Sequence, residues 1–272
     1  MIAYTAVEEI YTHGHHDSVL RSHRWRTAEN SAGYLLPFLE PGMRLLDVGC
    51  GPGTITLDLA ARVAPGPTIG VDRDPGVLAE AQSLLSSRQI AGVEFRTADA
   101  YALEFDDESF DVVHAHQLLQ HLSDPVAALA EMRRVLRPGG VLAVRDGDYG
   151  GFVWAPPDAL LDRWLELYHD VCRHNGADAD AGRSLLGWAR AAGFTEIHPG
   201  SSTWTFAEPE ARRWWGELWA ERVTSTFLAE QAVTYGLSSP DELEAIAAAW
   251  RRWLEHGDGF FVVLHGELIA RR

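Results

Sequence analysis

Three aspartates stand at the ends of successive apolar runs: Asp47 after Leu45-Leu46, Asp72 after Thr68 to Val71, and Asp99 two residues beyond Val93 to Thr97. A carboxylate so placed can face the cationic end of a ligand, as at Asp47, or take both hydroxyl hydrogens of a ribose, as at Asp72. Desolvated charge-assisted bonds of this kind contribute about 1.5–3 kcal/mol each. Between the first two acids lies a turn with glycines at 49, 51 and 53. Glycine permits positive φ and lets a ligand approach backbone with no Cβ in the way. A helix expected from near Thr54 would aim backbone N–H groups at an anionic group. The spacing is G-x-G-x-G, not the G-x-G-x-x-G of dinucleotide-binding turns, and a carboxylate two residues before the first glycine disfavours a pyrophosphate. A nicotinamide oxidoreductase would also show a Tyr-x-x-x-Lys pattern, which is absent here.

Positioning these groups requires strands that end together on one edge. Strand-like runs at 44–48, 68–71, 93–97, 111–114 and 141–145 alternate with helical segments, the pattern of a parallel α/β sheet. Arg137-Pro138-Gly139-Gly140 stops a helix and turns into the fifth strand. Ile197 to Phe206 and Phe260 to Ile269 offer two late strands. Each aspartate alone also has a bland reading, as a cap or as an Asx turn at Asp99. Their joint placement at consecutive strand ends favours a ligand, because open α/β sheets bind at the carboxyl ends of strands.

Four blocks, Leu45 to Thr56, Gly70 to Pro75, Thr97 to Pro125 and Glu131 to Asp146, cover about half of the chain. In order and spacing they resemble the class I S-adenosylmethionine-dependent methyltransferases, in particular the small-molecule branch that includes the ubiquinone and menaquinone biosynthesis enzymes. The resemblance implies a Rossmann-like, seven-stranded, mostly parallel sheet with helices on both faces and an antiparallel last strand. It implies S-adenosylmethionine as cofactor, with Gly49, Gly51 and Gly53 around the methionine part, Asp72 on the ribose, and Asp99 with Ala100 on the adenine. His116 and Gln117 would border the methyl-bearing end, and Asp47, Thr54 and Arg73 complete the expected contacts of the core. The activity implied is in-line transfer of the sulfonium methyl to a small apolar or aromatic acceptor, here a specialised metabolite. Quinone C-methylation and non-catalytic binding of S-adenosylmethionine are the alternatives.

The chain reads as one domain: an N-terminal cap over 1–40, a cofactor-binding core over 41–150, and a helical substrate cover with the last two strands over 151–272. Lids are expected at both ends, since the sheet is occupied by cofactor. Tyr11, His15 and His16 would line the active site, with Arg21 or Arg26 near the cofactor carboxylate. The cluster of Tyr11, His13, His15 and His16 lacks a spaced carboxylate or thiolate, so no metal is expected. For acceptors that must lose a proton, His15, His16 and His116 are the candidate bases, His121 being read as structural; Asp146 and Asp148 are further pocket-facing candidates. Nine of the ten tryptophans fall in the second half, which favours an apolar pocket under a helical cover, or a homodimer interface.

A formal net charge of −16 over 272 residues opposes loose binding to nucleic acid or anionic lipid. With two cysteines and no long apolar span or signal peptide, the expectation is a cytoplasmic enzyme without disulfides or membrane insertion.

Overall fold

The computed structural model describes residues 17–272, and of residues 17–20 the backbone alone. The N-terminal cap contributes α1 (Asp17–Arg24) and the single turn α2 (Ala28–Ser31). The alternating core follows as β1 (Leu45–Val48), α3 (Thr54–Val63), β2 (Thr68–Asp72), α4 (Pro75–Arg88), β3 (Val93–Thr97), β4 (Phe110–His116), α5 (Pro125–Val135) and β5 (Leu136–Gly147). The rest comprises β6 (Val153–Ala155), α6 (Ala159–His174), α7 (Ala181–Ala191), β7 (Glu196–Phe206), α8 (Pro209–Ser225), α9 (Phe227–Thr234), α10 (Pro240–Glu255) and β8 (Phe260–Arg271).

All seven expected strands are present, in the order β3-β2-β1-β4-β5-β8 with β7 on the far side of β8. Strand β8 runs antiparallel to β5 and to β7. The three residues of β6 extend the ladder of β8 and make an eighth strand that the sequence does not announce. β1 and β4 are buried along their whole length, as their continuous apolar runs require when helices cover both faces. Arg137 to Gly140 loops out between the pairs Phe110–Leu136 and Val112–Val141, with Gly139 at φ +77°. The helix starts obey local chemistry: Asp74 before Pro75, Asp124 before Pro125 and Ser239 before Pro240 each cap a helix through a side-chain oxygen.

Helices α6, α8 and α10 form a separate apolar layer over β8, built from tryptophan. Trp164 meets Trp219 at 4.5 Å and Trp250 at 5.0 Å between ring centroids, both edge-to-face, and Phe261 of β8 lies 5.3 Å from Trp250. The tryptophan-rich second half is therefore mainly core: Trp164, Trp219, Trp250 and Trp253 are buried there, and only Trp204 and Trp215 reach the cavity described below.

On the opposite side, α7 presses so tightly on β8 that two backbones touch. A Cβ built on Gly266 would stand 2.0 Å from the Gly182 carbonyl oxygen. Gly266→Ala must push the helix off the strand, and overpacking of this kind costs about 1–3 kcal/mol or more; the lowered midpoint of chemical unfolding will report it.

Candidate active site

The carboxyl ends of β1, β2, β3 and β4 open into one cavity of about 1200 Å³. Drug-sized ligands occupy about 300–1,000 Å³, so this volume accommodates two molecules side by side. Strand order divides it: β1, β2 and β3 bring Gly49, Gly51, Asp72, Arg73, Asp99 and Ala100 to one half, whereas β8, β7 and α8 bring Val263, Trp204, Trp215 and Arg222 to the other, with Tyr149 and Phe152 from beyond β5. His116 and Gln117, at the end of β4, stand between.

In the first half the glycine turn is held by the end of β2. The N–H groups of Gly49 and Cys50 both donate to the Val71 carbonyl, and that of Gly51 donates to Asp72 Oδ2 at 3.0 Å. These amides are thus spent on the protein, and the expectation that the turn aims them at a ligand is corrected. Gly51, at φ +53°, has nothing within 4 Å of where its Cβ would stand, which leaves open space for a ligand against its backbone. Gly53 does not line the cavity: its Cβ would lie 2.7 Å from the Phe95 ring, so this glycine serves packing. Thr54 opens α3 and donates its hydroxyl to the His23 carbonyl at 3.2 Å, which seats the N-terminal cap on the core. Asp99 lines the cavity and also forms the Asx turn, accepting from Tyr101 N at 2.9 Å.

Asp47 is buried. Its Oδ2 accepts from the Thr56 hydroxyl at 2.5 Å and its Oδ1 from His114 Nδ1 at 2.7 Å. Asp47 and His114 are register partners on β1 and β4, so the pairing follows from the sheet itself. The carboxylate braces two strands under the turn, a role the sequence reading missed along with His114.

At the centre, His116 Nε2 lies 2.9 Å from Arg145 Nη1. A guanidinium only donates, so His116 carries its proton on Nδ1 and has no lone pair left to take another. Burial and the nearby charges of Arg26 and Arg145 push its pKa well below the ordinary range. His116 is accordingly not a general base, which corrects that candidacy. Burial likewise takes His121 down to about 3. Neither Asp146 nor Asp148 faces the cavity: Asp148 is paired with Arg183, and Asp146 is fully buried and accepts from Gln120 N at 3.1 Å. Arg26 lines the cavity and donates to Gln117 Oε1, whereas Arg21 is paired with Glu221 on α8. Tyr11, His13, His15 and His16 lie outside the described residues.

Do these residues fit the expected cofactor? Acids at two consecutive strand ends, open backbone at Gly51, and a cavity with room for a second molecule suit a nucleoside carrying an amino-acid tail. Asp72 and Asp99 would hold its ribose and adenine and the Gly49–Gly51 backbone its tail.

Fold and site together define a nucleoside-binding α/β enzyme of the Rossmann-like kind. The methyltransferase domain family matches residues 39–198, more than half of the chain, and the protein belongs to that family. It is an S-adenosylmethionine-dependent methyltransferase. An uncharacterised methyltransferase of Schizosaccharomyces pombe is 35% identical over 270 residues, covering 96% of each chain. A demethylmenaquinone methyltransferase of Beutenbergia cavernae is 37% identical over 128 residues, covering 47% of this chain and 50% of its own. Among solved structures, the cyclase SpnF is 27% identical with a TM-score of 0.53, covering 94% of this chain and 81% of its own. The YcgJ protein of Bacillus subtilis shares the fold at a TM-score of 0.58 and 20% identity, with 88% and 97% covered. No described helix is long and apolar enough to cross a membrane.

Burial pushes Asp146 up to about 8, against the lowering effects of the Gln120 N–H and the Arg145 charge. The folded state then holds one proton more than the unfolded chain between about pH 4 and that value, so stability falls as pH rises, by at most about 1.4 kcal/mol per pH unit. Asp146→Asn is expected to flatten this slope in denaturant unfolding measured from pH 5 to pH 8.

Proposed function

We propose that the enzyme methylates a small aromatic or otherwise apolar molecule, a specialised metabolite, held against the second half of the cavity. One observation carries this reading: Tyr149, Phe152, Trp204, Trp215 and Val263 line that half. When bound, S-adenosylmethionine supplies a methyl group already activated by a positively charged sulfur. What the chain itself supplies is position and dryness. Flat aromatic walls orient a flat acceptor, and alignment of reacting groups is worth effective molarities of about 10⁵–10⁸ M in favourable systems.

Three guanidinium groups line the cavity, Arg73 at the end of β2 and Arg26 and Arg222 beyond it, and its carboxylates among the described residues come from the ends of β1, β2 and β3 and from the loop after β4. That charge pattern disfavours a cationic amine as acceptor and suits a neutral or acidic one. Among the described residues, His116 spends its lone pair on Arg145 and burial makes His121 a weak base, so neither removes a proton from the acceptor. Quinone C-methylation is the alternative reading, because likeness to demethylmenaquinone methyltransferases covers 47% of this chain in one relative and 66% in another.

Calorimetric titration with S-adenosylhomocysteine tests the donor half. Asp72→Ala, which removes the acid at the end of β2 and the brace of Gly51, is expected to weaken binding by about 10- to 100-fold. Phe152→Leu tests the acceptor half: affinity for S-adenosylhomocysteine should be unchanged while the KM for an aromatic acceptor rises several-fold. A protein that binds donor yet methylates no member of a phenol and aromatic-acid panel would refute the acceptor class, and the likeness to a cyclase makes that arm essential.

A further inference from the structure

Tyr149 and Phe152, two walls of the acceptor half, belong to a short segment that is held from outside the cavity. The segment is built on a single 3₁₀ turn, Tyr149–Gly151, too short to fix its own shape. Gly150 in its middle is exposed, and its N–H donates to Asp180 Oδ1 at 2.6 Å. Tyr149 N donates to the Ala179 carbonyl at 3.1 Å, and Arg183 grips Asp148 through Nε at 2.8 Å and through Nη2. A Cβ on Gly150 would stand 2.8 Å from Arg183 Nη2 and 3.1 Å from Asp180 Oδ1, so this bracket fits only bare backbone.

Helix α6 reaches the bracket with two consecutive residues. Tyr168 stacks on the Tyr149 ring with centroids 4.0 Å apart, and His169 Nε2 lies 3.0 Å from Asp180 Oδ1. The other ring nitrogen, Nδ1, lies 2.8 Å from the Leu165 carbonyl oxygen one turn earlier. A carbonyl and a carboxylate both only accept. Both contacts are therefore hydrogen bonds only when each ring nitrogen carries a hydrogen, in the imidazolium form. A neutral ring has one N–H: either Asp180 loses its donor, or a lone pair is left against the Leu165 oxygen. The charges around the ring are few. Asp180 faces it from the head of α7, with Arg183 Nη1 3.9 Å from that carboxylate and Asp148 pairing Arg183 in turn. Asp178 takes the Asp180 N–H, and on α6 the charged neighbours are Glu166 and the pair Asp170–Arg173. Against the raising effect of burial, the Gly150 N–H and then His169 hold the Asp180 carboxyl below its ordinary range.

We propose that His169 and Asp180 are positioning residues for the methyl acceptor: the His169 imidazolium, bridging α6 to Asp180, holds segment 149–152 in the shape that receives an aromatic ring. Neither residue lines the cavity, so both act through Gly150 and its neighbours. The inference rests on the aromatic-acceptor reading and adds to it a wall whose firmness depends on pH. As pH rises and His169 gives up a proton, the bracket slackens, while the donor half at the ends of β1, β2 and β3 keeps its own braces.

Two substitutions separate grip from titration. Glutamine offers an N–H where Nε2 stands and does not titrate, whereas phenylalanine offers none. Hydrogen exchange of the 149–152 amides, expressed as protection relative to the unfolded chain, reads the bracket without any ligand. Wild-type protection should fall about tenfold between pH 5.5 and pH 8.5, His169→Gln should hold within about twofold over that range, and His169→Phe should be low throughout. At pH 6, His169→Phe should raise the KM for an aromatic acceptor several-fold, with kcat and the affinity for S-adenosylhomocysteine unchanged, and His169→Gln should restore the KM. Wild-type protection that ignores pH, or the same pH dependence in His169→Gln, would overturn the bridge. Protection lost with KM unmoved would overturn the positioning role. If no aromatic acceptor is methylated at all, the acceptor reading falls by itself, and hydrogen exchange still decides the bridge.

Discussion

One buried cation organises the centre of this enzyme. Arg145 is 1% exposed, and every nitrogen of its guanidinium is engaged: Nε with Ser202 on β7 and Glu267 on β8, Nη1 with His116 on β4, Nη2 with His265 on β8. The Trp204 ring lies 4.8 Å from it. A charge removed from water is tolerated only when paired and fully hydrogen-bonded, and Glu267 supplies the pairing at 3.1 Å. The donated bonds tie together strands far apart in sequence. The contact with His116 also fixes that imidazole's proton on Nδ1, so a histidine beside the cavity acts as a rigid spacer.

The two halves of the cavity are held by different physics. Around the donor half, short polar braces join adjacent parallel strands: Asp47 to His114, Asp72 to the Gly51 amide, Asp99 to its own turn. Each of these groups is held by the protein itself, which reduces the ordering cost of binding. Around the acceptor half the walls are aromatic rings on β7, α8 and the segment after β5, backed by the tryptophan layer of α6, α8 and α10. Aromatic walls select by shape, so this half can change its ligand by changing ring sizes while the donor half keeps its geometry.

Much of this was legible in the residues. β1, β2 and β5 could be read because buried strands are apolar runs ended by acids or glycines; β3, a half-exposed edge strand, alternates instead and still matches its expected span of Val93–Thr97. The three residues of β6 carry no periodicity and owe their conformation to β8. Gly53 and Gly51 look alike in sequence; only tertiary contact with Phe95 separates a packing glycine from one that faces open space. Arg145, inside an apolar run, reads as a strand's exposed end until Glu267, more than a hundred residues later, is brought beside it. His265 passes as an isolated polar residue in a hydrophobic strand for the same reason. His114 was within reach, since aligning two parallel strands places it against Asp47.

The place of β8 in the sheet has a consequence for how the chain becomes an enzyme. It follows every other strand in chain order, yet it is inserted between β5 and β7 and carries His265, Glu267 and Val263. During synthesis the parallel core through β5 emerges first and can close the donor half from contacts of short sequence separation. Until β8 arrives, β7 has no strand to pair with and Arg145 lacks its counter-charge. The half of the cavity lined by β1, β2 and β3 can therefore form before the half lined by β7 and β8.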